Sequence, residues 1–213
     1  MSRLPTWIGQ HLAAVRAIIV LTLITGGLYP LLVLGIAQAA FRNQANGSLV
    51  TYNGKVAGSS LLCQEFTDPK GNPLPRYFQP RPSTAAAPGS KTGFGCDPNY
   101  SGASNLGPNN PALLKNVQSY KAAYAAFNRV PPSAVPPDAV TTSASGLDPY
   151  ISPQNAADQV NRVAAARRLP VGEVRSLVAR YTQSRTLGFL GEPRVNVLLL
   201  NIALDKLSVT SGG

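Results

Sequence analysis

The feature that most constrains this chain is an uncharged, apolar stretch over residues 17–41. As an α-helix it rises about 1.5 Å per residue, so it can cross a hydrocarbon core of about 30 Å with some tilt. No other stretch of the sequence has this length and character. One helix cannot enclose a pathway, so a chain with a single span is an anchor, a sensor or an accessory subunit.

A cleaved secretory signal is the competing interpretation of this stretch. Ala37, Gln38 and Ala39 form an A-x-A triplet, which would give a mature chain that starts at Ala40. The apolar regions of signals run about 7–15 residues, so a retained span is favoured. Pro30 lies in the middle of the stretch, where a membrane helix with neighbouring helices tolerates it.

Small residues four positions apart indicate contacts with other membrane helices. Thr22 with Gly26, and Gly35 with Ala39, have the spacing that lets two helices approach closely. The candidate partner contacts in the span are Thr22, Gly26, Pro30 and Gly35.

The basic residues around the span predict its orientation. Arg3 and Arg16 precede it and Arg42 follows it, and this excess before the span places the N-terminus inside. We therefore predict a membrane protein with one pass. Its parts are a cytoplasmic flank at 1–16, a transmembrane helix at 17–41 and an extracytoplasmic domain at 42–213.

The composition fits a basic domain in an oxidising compartment. Cys63 and Cys96 are the only cysteines and are candidates for a disulfide, with two unpaired thiols as the alternative. The formal net charge is +10, and the Lys and Arg residues are scattered along the chain. This distribution argues against a nucleic-acid partner and favours membrane lipid headgroups or an acidic partner subunit.

The soluble part is predicted to be α+β, with a small β-sheet or hairpin and three to four helices. Asn53-Gly54 lies between two segments of strand character and is a strong hairpin signal. Residues 195–207 are apolar and too short for a second span. They form either a strand that continues into a helix, or a helix from Asn196.

Paired start signals predict the helices of the domain. Asn110-Pro111 and Ser152-Pro153 each combine a capping residue with proline at the first helical position, and these helices reach about residues 128 and 168. A third helix starts at Pro170 and reaches about residue 183. The first helix has one apolar stripe, made of Leu113, Leu114, Val117, Tyr120, Tyr124 and Phe127. The inward residues of the other two are Ala156, Val160, Val163, Ala164, Val174, Leu177, Val178 and Tyr181.

The residue inventory indicates a domain without catalysis. The single histidine, His11, precedes the span, so the outer domain has none for a nucleophilic triad or for a zinc or copper site. Residues 89–92 lack the glycine spacing of a phosphate loop. A carboxylate pair for glycoside hydrolysis could still exist among the nine acids. A membrane-anchored hydrolase and a secreted binding domain therefore remain alternatives.

Five motifs follow the span in one order. They are QANGSL with GKV at 44–49 and 54–56, YFQPRPS at 77–83, SGASNLGPNNP at 101–111, SGLDPYISP at 145–153 and LGFLGEPRVNV at 187–197. Each motif is weak alone, but the ordered set resembles the KdpC subunit family of the bacterial potassium-transporting Kdp P-type ATPases. The resemblance covers essentially the whole chain, from the span to about Leu207.

That resemblance implies a non-catalytic subunit of a high-affinity, ATP-driven potassium uptake pump. The implied partners are a channel-like potassium-binding subunit, an ATP-hydrolysing P-type subunit and a small membrane subunit, which handle potassium and ATP. The family also implies a catalytic chaperone that raises the ATP affinity of the hydrolysing subunit. The nucleotide-binding residues that it implies are Gln64, Tyr77, Phe78, Arg81 and Ser83. The motifs add as candidate partner contacts Arg81, Ser104, Asn105, Asn110 and Asp148.

The predicted topology separates these residues from ATP. With the domain outside, Gln64 and cytoplasmic ATP lie on opposite sides of the membrane, so any effect on ATP affinity is relayed through the complex. Arg81 could pair with a carboxylate of the channel-like subunit. We expect the domain to cap that subunit and hold the assembly together, with no cofactor, metal or catalytic residue of its own.

Overall fold

The computed structural model describes residues 5–87 and 95–210. It divides into two units, Met1–Leu49 and Val50–Gly213, each of which is described by itself. The fold is α+β, with one N-terminal apolar helix, sheets of two and three strands and several further helices. The predicted fold class is therefore confirmed.

The N-terminal unit is a long helix with one widened turn. Helix α1 (Thr6–Leu23) passes through a π-helical turn (Ile24–Leu28) into α2 (Tyr29–Ala40), and α3 (Arg42–Ala45) adds a short turn. Pro30 has no N–H to donate, and its ring crowds the carbonyl one turn earlier. The widened turn lies directly before this proline, where it accommodates the missing hydrogen bond.

This helix is longer than the apolar stretch. Thr6–Ala40 is long and apolar enough to cross a membrane, with a mean hydropathy of 2.3 in its most apolar window, and none of that window is buried in the protein. The helix starts well before residue 17 because His11, Leu12 and Ala13 lie in a segment with no break signal. Hydropathy therefore locates the membrane-compatible part of the helix but not its first turn.

A β-hairpin follows, as predicted. Strands β1 (Leu49–Tyr52) and β2 (Lys55–Ser59) pair across Asn53 and Gly54. These two turn residues have φ angles of 50° and 75°. Two consecutive positive φ angles are typical of the type I′ turn, whose twist matches that of paired strands.

Helix α4 (Pro111–Asn128) begins at its predicted cap. The Asn110 side chain accepts a hydrogen bond from the Ala112 N–H at 2.9 Å. The apolar stripe of this helix is only half-buried, and Leu114 is exposed. The buried residues of this helix, Ala125 and Asn128, lie near its C-terminal end.

Helices α5 (Pro153–Arg167) and α6 (Val171–Tyr181) supply much of the core. Ser152 caps α5, since its Oγ accepts a hydrogen bond from the Asn155 N–H at 3.1 Å. Arg168 ends α5 in the left-handed conformation. The residues expected to face inward on both helices are buried, apart from a half-buried Tyr181.

Three short strands form an antiparallel sheet with β5 in the centre. The strands are β3 (Tyr150–Ile151), β4 (Thr182–Gln183) and β5 (Arg194–Asn196). Both Ile151 and Thr182 are in register with Val195. Strand β5 continues directly into α7 (Val197–Thr210), so the alternative of a strand followed by a helix is correct. The core of the described residues includes Phe78, Ile151, Val160, Val163, Val174, Leu177, Val195, Leu200 and Leu204.

Candidate functional site

An ion pair joins two of the motifs. Arg81 donates from Nη1 to Asp148 Oδ2 at 3.0 Å, and its Nε and Nη2 donate to the Thr141 carbonyl at 3.1 and 3.0 Å. The other carboxylate oxygen of Asp148 accepts from the Tyr150 N–H at 3.0 Å. Both charged side chains are partly buried. The Arg81 guanidinium, proposed above as a partner for a carboxylate of another subunit, therefore pairs with a carboxylate of its own chain.

Ser83 bonds to two other segments of the chain close by. Its Oγ donates to the Gly146 carbonyl and accepts from the backbone N–H groups of Cys96, at 2.9 Å, and Ala85, at 3.1 Å. Gly146 has a φ of 72°, and a Cβ there would lie 2.6 Å from the Gly102 carbonyl oxygen. A backbone contact this close requires glycine. We call Arg81, Ser83, Gly146 and Asp148 the polar hub.

A disulfide lies beside the polar hub. Cys63 and Cys96 are bonded to each other, and both are buried. The Cys63 N–H also donates to the Leu147 carbonyl at 3.0 Å. The disulfide therefore connects the chain after β2 to Cys96, whose N–H donates to the Ser83 Oγ.

The YFQ part of the second motif is held by amide side chains from two helices. Asn201 on α7 bonds both the N–H and the carbonyl of Phe78, each at 2.9 Å. Gln159 on α5 does the same for Gln79, at 2.7 and 3.1 Å. The two amides make the backbone hydrogen bonds that a neighbouring strand would otherwise make with an extended segment. The buried backbone groups of Phe78 and Gln79 are therefore satisfied.

Arg162 on α5 completes this support. It donates to the carbonyls of Pro75 and Tyr77 at 2.6 and 2.9 Å, and its guanidinium lies 4.3 Å from the centre of the Phe127 ring. Burial lowers the pKa of Arg162 to about 10. Sequence reasoning missed Gln159, Asn201 and Arg162. The available signal was a polar residue at an inward position of an apolar helix, as with Asn201 in LLLNIAL.

Glu65 is the unusual carboxylate of the domain. Its Oε1 accepts from the Gly95 N–H at 2.9 Å, and its Oε2 is buried with no partner among residues 5–87 and 95–210. Burial raises the pKa of Glu65 to about 7, against the opposing effect of the Gly95 N–H. This side chain therefore exchanges a proton near neutral pH.

A cavity of about 670 Å³ lies between Glu65, the polar hub and α4. Arg81 and Ser83 line it, with an aromatic wall from Tyr120, Tyr124 and Phe127. The Tyr124 hydroxyl donates to Asn155 Oδ1 at 3.0 Å, and burial raises its pKa, to which the nearby Asp158 adds. The size and mixed lining are typical of small-ligand pockets.

The residues implied for nucleotide binding are spread over several environments. Gln64 is half-buried and lines a second cavity of about 360 Å³. The Arg167 guanidinium lies 4.7 Å from the centre of the Tyr77 ring. The Tyr77 hydroxyl donates to Asp205 Oδ2 at 3.3 Å. Phe78 is wholly in the core, so its ring has no surface to offer a ligand. Nucleotide binding by this set stays a prediction.

The proposed partner contacts fall into two groups. In the helix of the first unit, the side chains of Thr22 and Pro30 and the backbone at Gly26 and Gly35 are exposed. In the second unit, Asn105 is exposed with a φ of 51°, and Ser104 is half-buried. Asn110 serves as the α4 cap and Asp148 as the partner of Arg81.

The chain matches a protein-family model described as KdpC: K+-transporting ATPase, c chain, over residues 11–206. It is 53% identical over 192 residues to a potassium-transporting ATPase KdpC subunit of Sorangium cellulosum, which covers 90% of this chain and 95% of that protein. KdpC subunits of Geobacter sulfurreducens and Streptomyces avermitilis are 49% and 48% identical, covering 91% and 93% of this chain and 96% and 94% of theirs. The chain belongs to the KdpC family of potassium-transporting ATPase subunits.

Proposed function

We propose that this chain is a non-catalytic, membrane-anchored subunit of an ATP-driven potassium uptake pump in a bacterial inner membrane. The observation that carries the proposal is the family match over residues 11–206 in a chain whose N-terminal helix exposes its whole apolar surface. An apolar helix of this length in water is unfavourable, so lipid or partner helices cover it. The helix therefore anchors the chain beside the other subunits.

The second unit acts on the outer side of the membrane in this proposal. A disulfide between Cys63 and Cys96 supports this location, because disulfides persist in oxidising compartments. The excess of Arg3 and Arg16 over Arg42 around the helix supports the same orientation. The N-terminus is then cytoplasmic.

The domain has loops of fixed conformation, with which it caps the channel-like subunit and stabilises the complex. Its motif side chains support this role because Arg81, Ser83 and Asp148 are engaged in bonds within the chain. Such groups hold loops in a fixed shape for contact with a partner. Potassium is handled by the channel-like subunit and ATP by the hydrolysing subunit.

An effect on ATP affinity is part of the proposal and is relayed through the assembly. With the domain outside, neither Gln64 nor the cavity beside Arg81 meets cytoplasmic ATP. Comparison of the KM for ATP in complexes with and without residues 50–213 tests this effect. A KM that rises severalfold without the domain supports a chaperone role, and an unchanged KM contradicts it.

Co-purification tests the proposed function directly. The tagged chain is expressed with its neighbouring genes in potassium-starved cells and extracted in mild detergent. We expect two larger membrane subunits and a small one to co-purify, and growth at low potassium to require the chain. Purification of the chain alone under these conditions contradicts the proposal.

Two measurements separate the alternatives. Intact mass distinguishes an anchor from a cleaved signal, since a mature start at Ala40 contradicts the anchor. Alkaline phosphatase fused at the C-terminus is active only outside the cytoplasm, so an inactive fusion contradicts the proposed orientation.

A further inference from the structure

The loop between β4 and β5 ends in an exposed apolar tip. Leu187, Phe189 and Leu190 are 79%, 69% and 50% exposed, within four consecutive residues. Single exposed apolar residues are common, but a cluster of three large ones at a protrusion marks an interaction surface. We call residues 187–190 the apolar tip.

Hydrogen bonds within the loop hold the backbone of the apolar tip. Thr186 and Leu190 exchange two backbone hydrogen bonds, both of 2.9 Å. At the base, Arg185 Nη2 donates to the two carboxylate oxygens of Glu192 at 3.0 and 2.8 Å. The tip is therefore a small closed hairpin that presents its side chains in a preformed arrangement, which lowers the entropy cost of binding.

Leu187 is an unfavourable residue at its position. Leu187 and Gly188 have φ angles of 55° and 83°, which repeat the 50° and 75° of Asn53 and Gly54 in the first hairpin. The first of these two turn positions favours Asn or Asp, because their side chains tolerate the left-handed conformation. Leu187 is disfavoured there by its backbone conformation and also by its exposure to water. Strain of this kind is characteristic of residues kept for a contact that the isolated chain lacks.

The charges around the apolar tip indicate the kind of partner. Arg180, Arg185 and Arg194 lie on the elements that lead to and from it, with Glu192 as the acid of the loop. The net positive base fits carboxylates on the opposing surface. The exposed carboxylate of Glu192, held by Arg185, is a directional acceptor for which a protein surface can supply a fixed donor.

We propose that the apolar tip inserts into an apolar pocket rimmed by carboxylates on the extracytoplasmic face of a larger membrane subunit of the same ATPase. The inference rests on the proposed function, because it requires that the chain be part of such a complex. A few apolar side chains that are buried in a partner's pocket contribute most of the binding free energy of a typical interface. The rigid tip presents side chains of this type.

Variants of the tip test this inference in the co-expressed, full-length complex. Leu187→Asn and Phe189→Ser are each expected to lower the recovery of the larger subunits in mild detergent by roughly tenfold. Leu114→Gln removes a leucine of α4 that is 61% exposed, within the range of the tip residues, and serves as the matched control with full recovery. Leu187→Asn relieves strain, so its loss of assembly cannot come from misfolding.

The outcomes separate the two proposals. If the unmodified chain captures no larger subunit, the proposed function fails. If the unmodified chain captures them and the tip variants capture them equally well, or if Leu114→Gln loses them to the same extent, the tip inference alone is overturned.

Photo-crosslinking identifies the neighbour of the tip. A benzoyl-phenylalanine in place of Phe189, in the complex in native membranes, should form an adduct with a larger subunit of the ATPase. An adduct with lipid, an adduct with a second copy of this chain, or no adduct at all would each overturn the inference.

Discussion

The polar hub and the apolar tip belong to different motifs of one domain and use their side chains in opposite ways. In the hub, Arg81 and Ser83 direct their polar groups to atoms of the same chain. At the tip, Leu187 and Phe189 direct apolar groups to the outside. Polar residues of a motif can therefore stabilise the fold, while apolar residues of another are available for assembly. The usual expectation is the reverse, with apolar residues inside and polar residues at the surface.

The largest expected effect comes from the closest backbone contact of the hub. Gly146→Ala should lower the free energy of unfolding by about 3 kcal/mol or more, because φ is 72° and the new Cβ would lie 2.6 Å from the Gly102 carbonyl. Urea denaturation of the full chain in detergent, followed by circular dichroism, measures it. Gly107→Ala is the control, since its Cβ would meet nothing within 4 Å. Equal stabilities of the two variants would show that the hub tolerates rearrangement.

The ion pairs of the hub and of the tip give the next comparison. Arg81→Ala leaves Asp148 and the Thr141 carbonyl without their donor in a partly buried place, so a loss of about 2 kcal/mol is expected. Arg185→Ala removes the exposed pair with Glu192 and should cost less than about 0.5 kcal/mol. The same denaturation measurement compares them. A cost for Arg185→Ala as large as that for Arg81→Ala would contradict the distinction between hub and tip.

Glu65, beside the hub, makes stability depend on pH. Its pKa is about 7 in the folded chain and 4.5 in the unfolded one, so the folded state holds the proton more tightly. The contribution of Glu65 to stability is therefore full below pH 4.5 and is lost as pH rises to about 7, an effect of about 2 kcal/mol after allowance for partial exposure.

Glu65→Gln removes this titration while its side-chain oxygen still accepts from the Gly95 N–H. We expect the variant and the original chain to be similarly stable at pH 4.5 and the variant to be more stable at pH 8. Denaturation curves at several pH values measure the difference. Parallel curves across this range would contradict a raised pKa for Glu65.

The smallest effect is a gain at the tip. Leu187→Asn should raise the free energy of unfolding by about 0.5–1 kcal/mol, because Asn tolerates the φ of 55° better than leucine does. The converse change, Asn53→Leu in the first hairpin, should lower stability by a similar amount. If Leu187→Asn destabilises the chain, the left-handed leucine is not a source of strain.

Local signals predicted the elements of this fold well. The caps at Asn110 and Ser152 and the hairpin turn at Asn53 are short-range features, in which a side chain or a backbone angle acts within three residues. The family resemblance of the ordered motifs is confirmed by the match over residues 11–206. The first helix extends from Thr6 to Ala40, beyond the apolar stretch at 17–41, because a helix without a break signal continues past its apolar part.

Neither the polar hub nor the support of the YFQ segment could be predicted from the sequence. Arg81 meets Asp148, and Gln159 meets the backbone of Gln79, across many intervening residues. No periodicity of the sequence relates residues so far apart. A motif interpreted as a ligand or partner site can therefore contain residues that bond to other parts of the same chain. The sequence also did not distinguish an exposed Leu114 from a buried one, because the packing partners of a helix stripe are set elsewhere.

By itself the sequence determined the apolar helix, the hairpin, the helix starts, the α+β class and the family, since each depends on neighbouring residues or on ordered motifs. Only the tertiary structure decided that Arg81 and Ser83 bond within the chain, that Phe78 lies in the core and that the leucines and phenylalanine of residues 187–190 face outward. The physical reason is that burial and pairing depend on which distant segments the folded chain brings together.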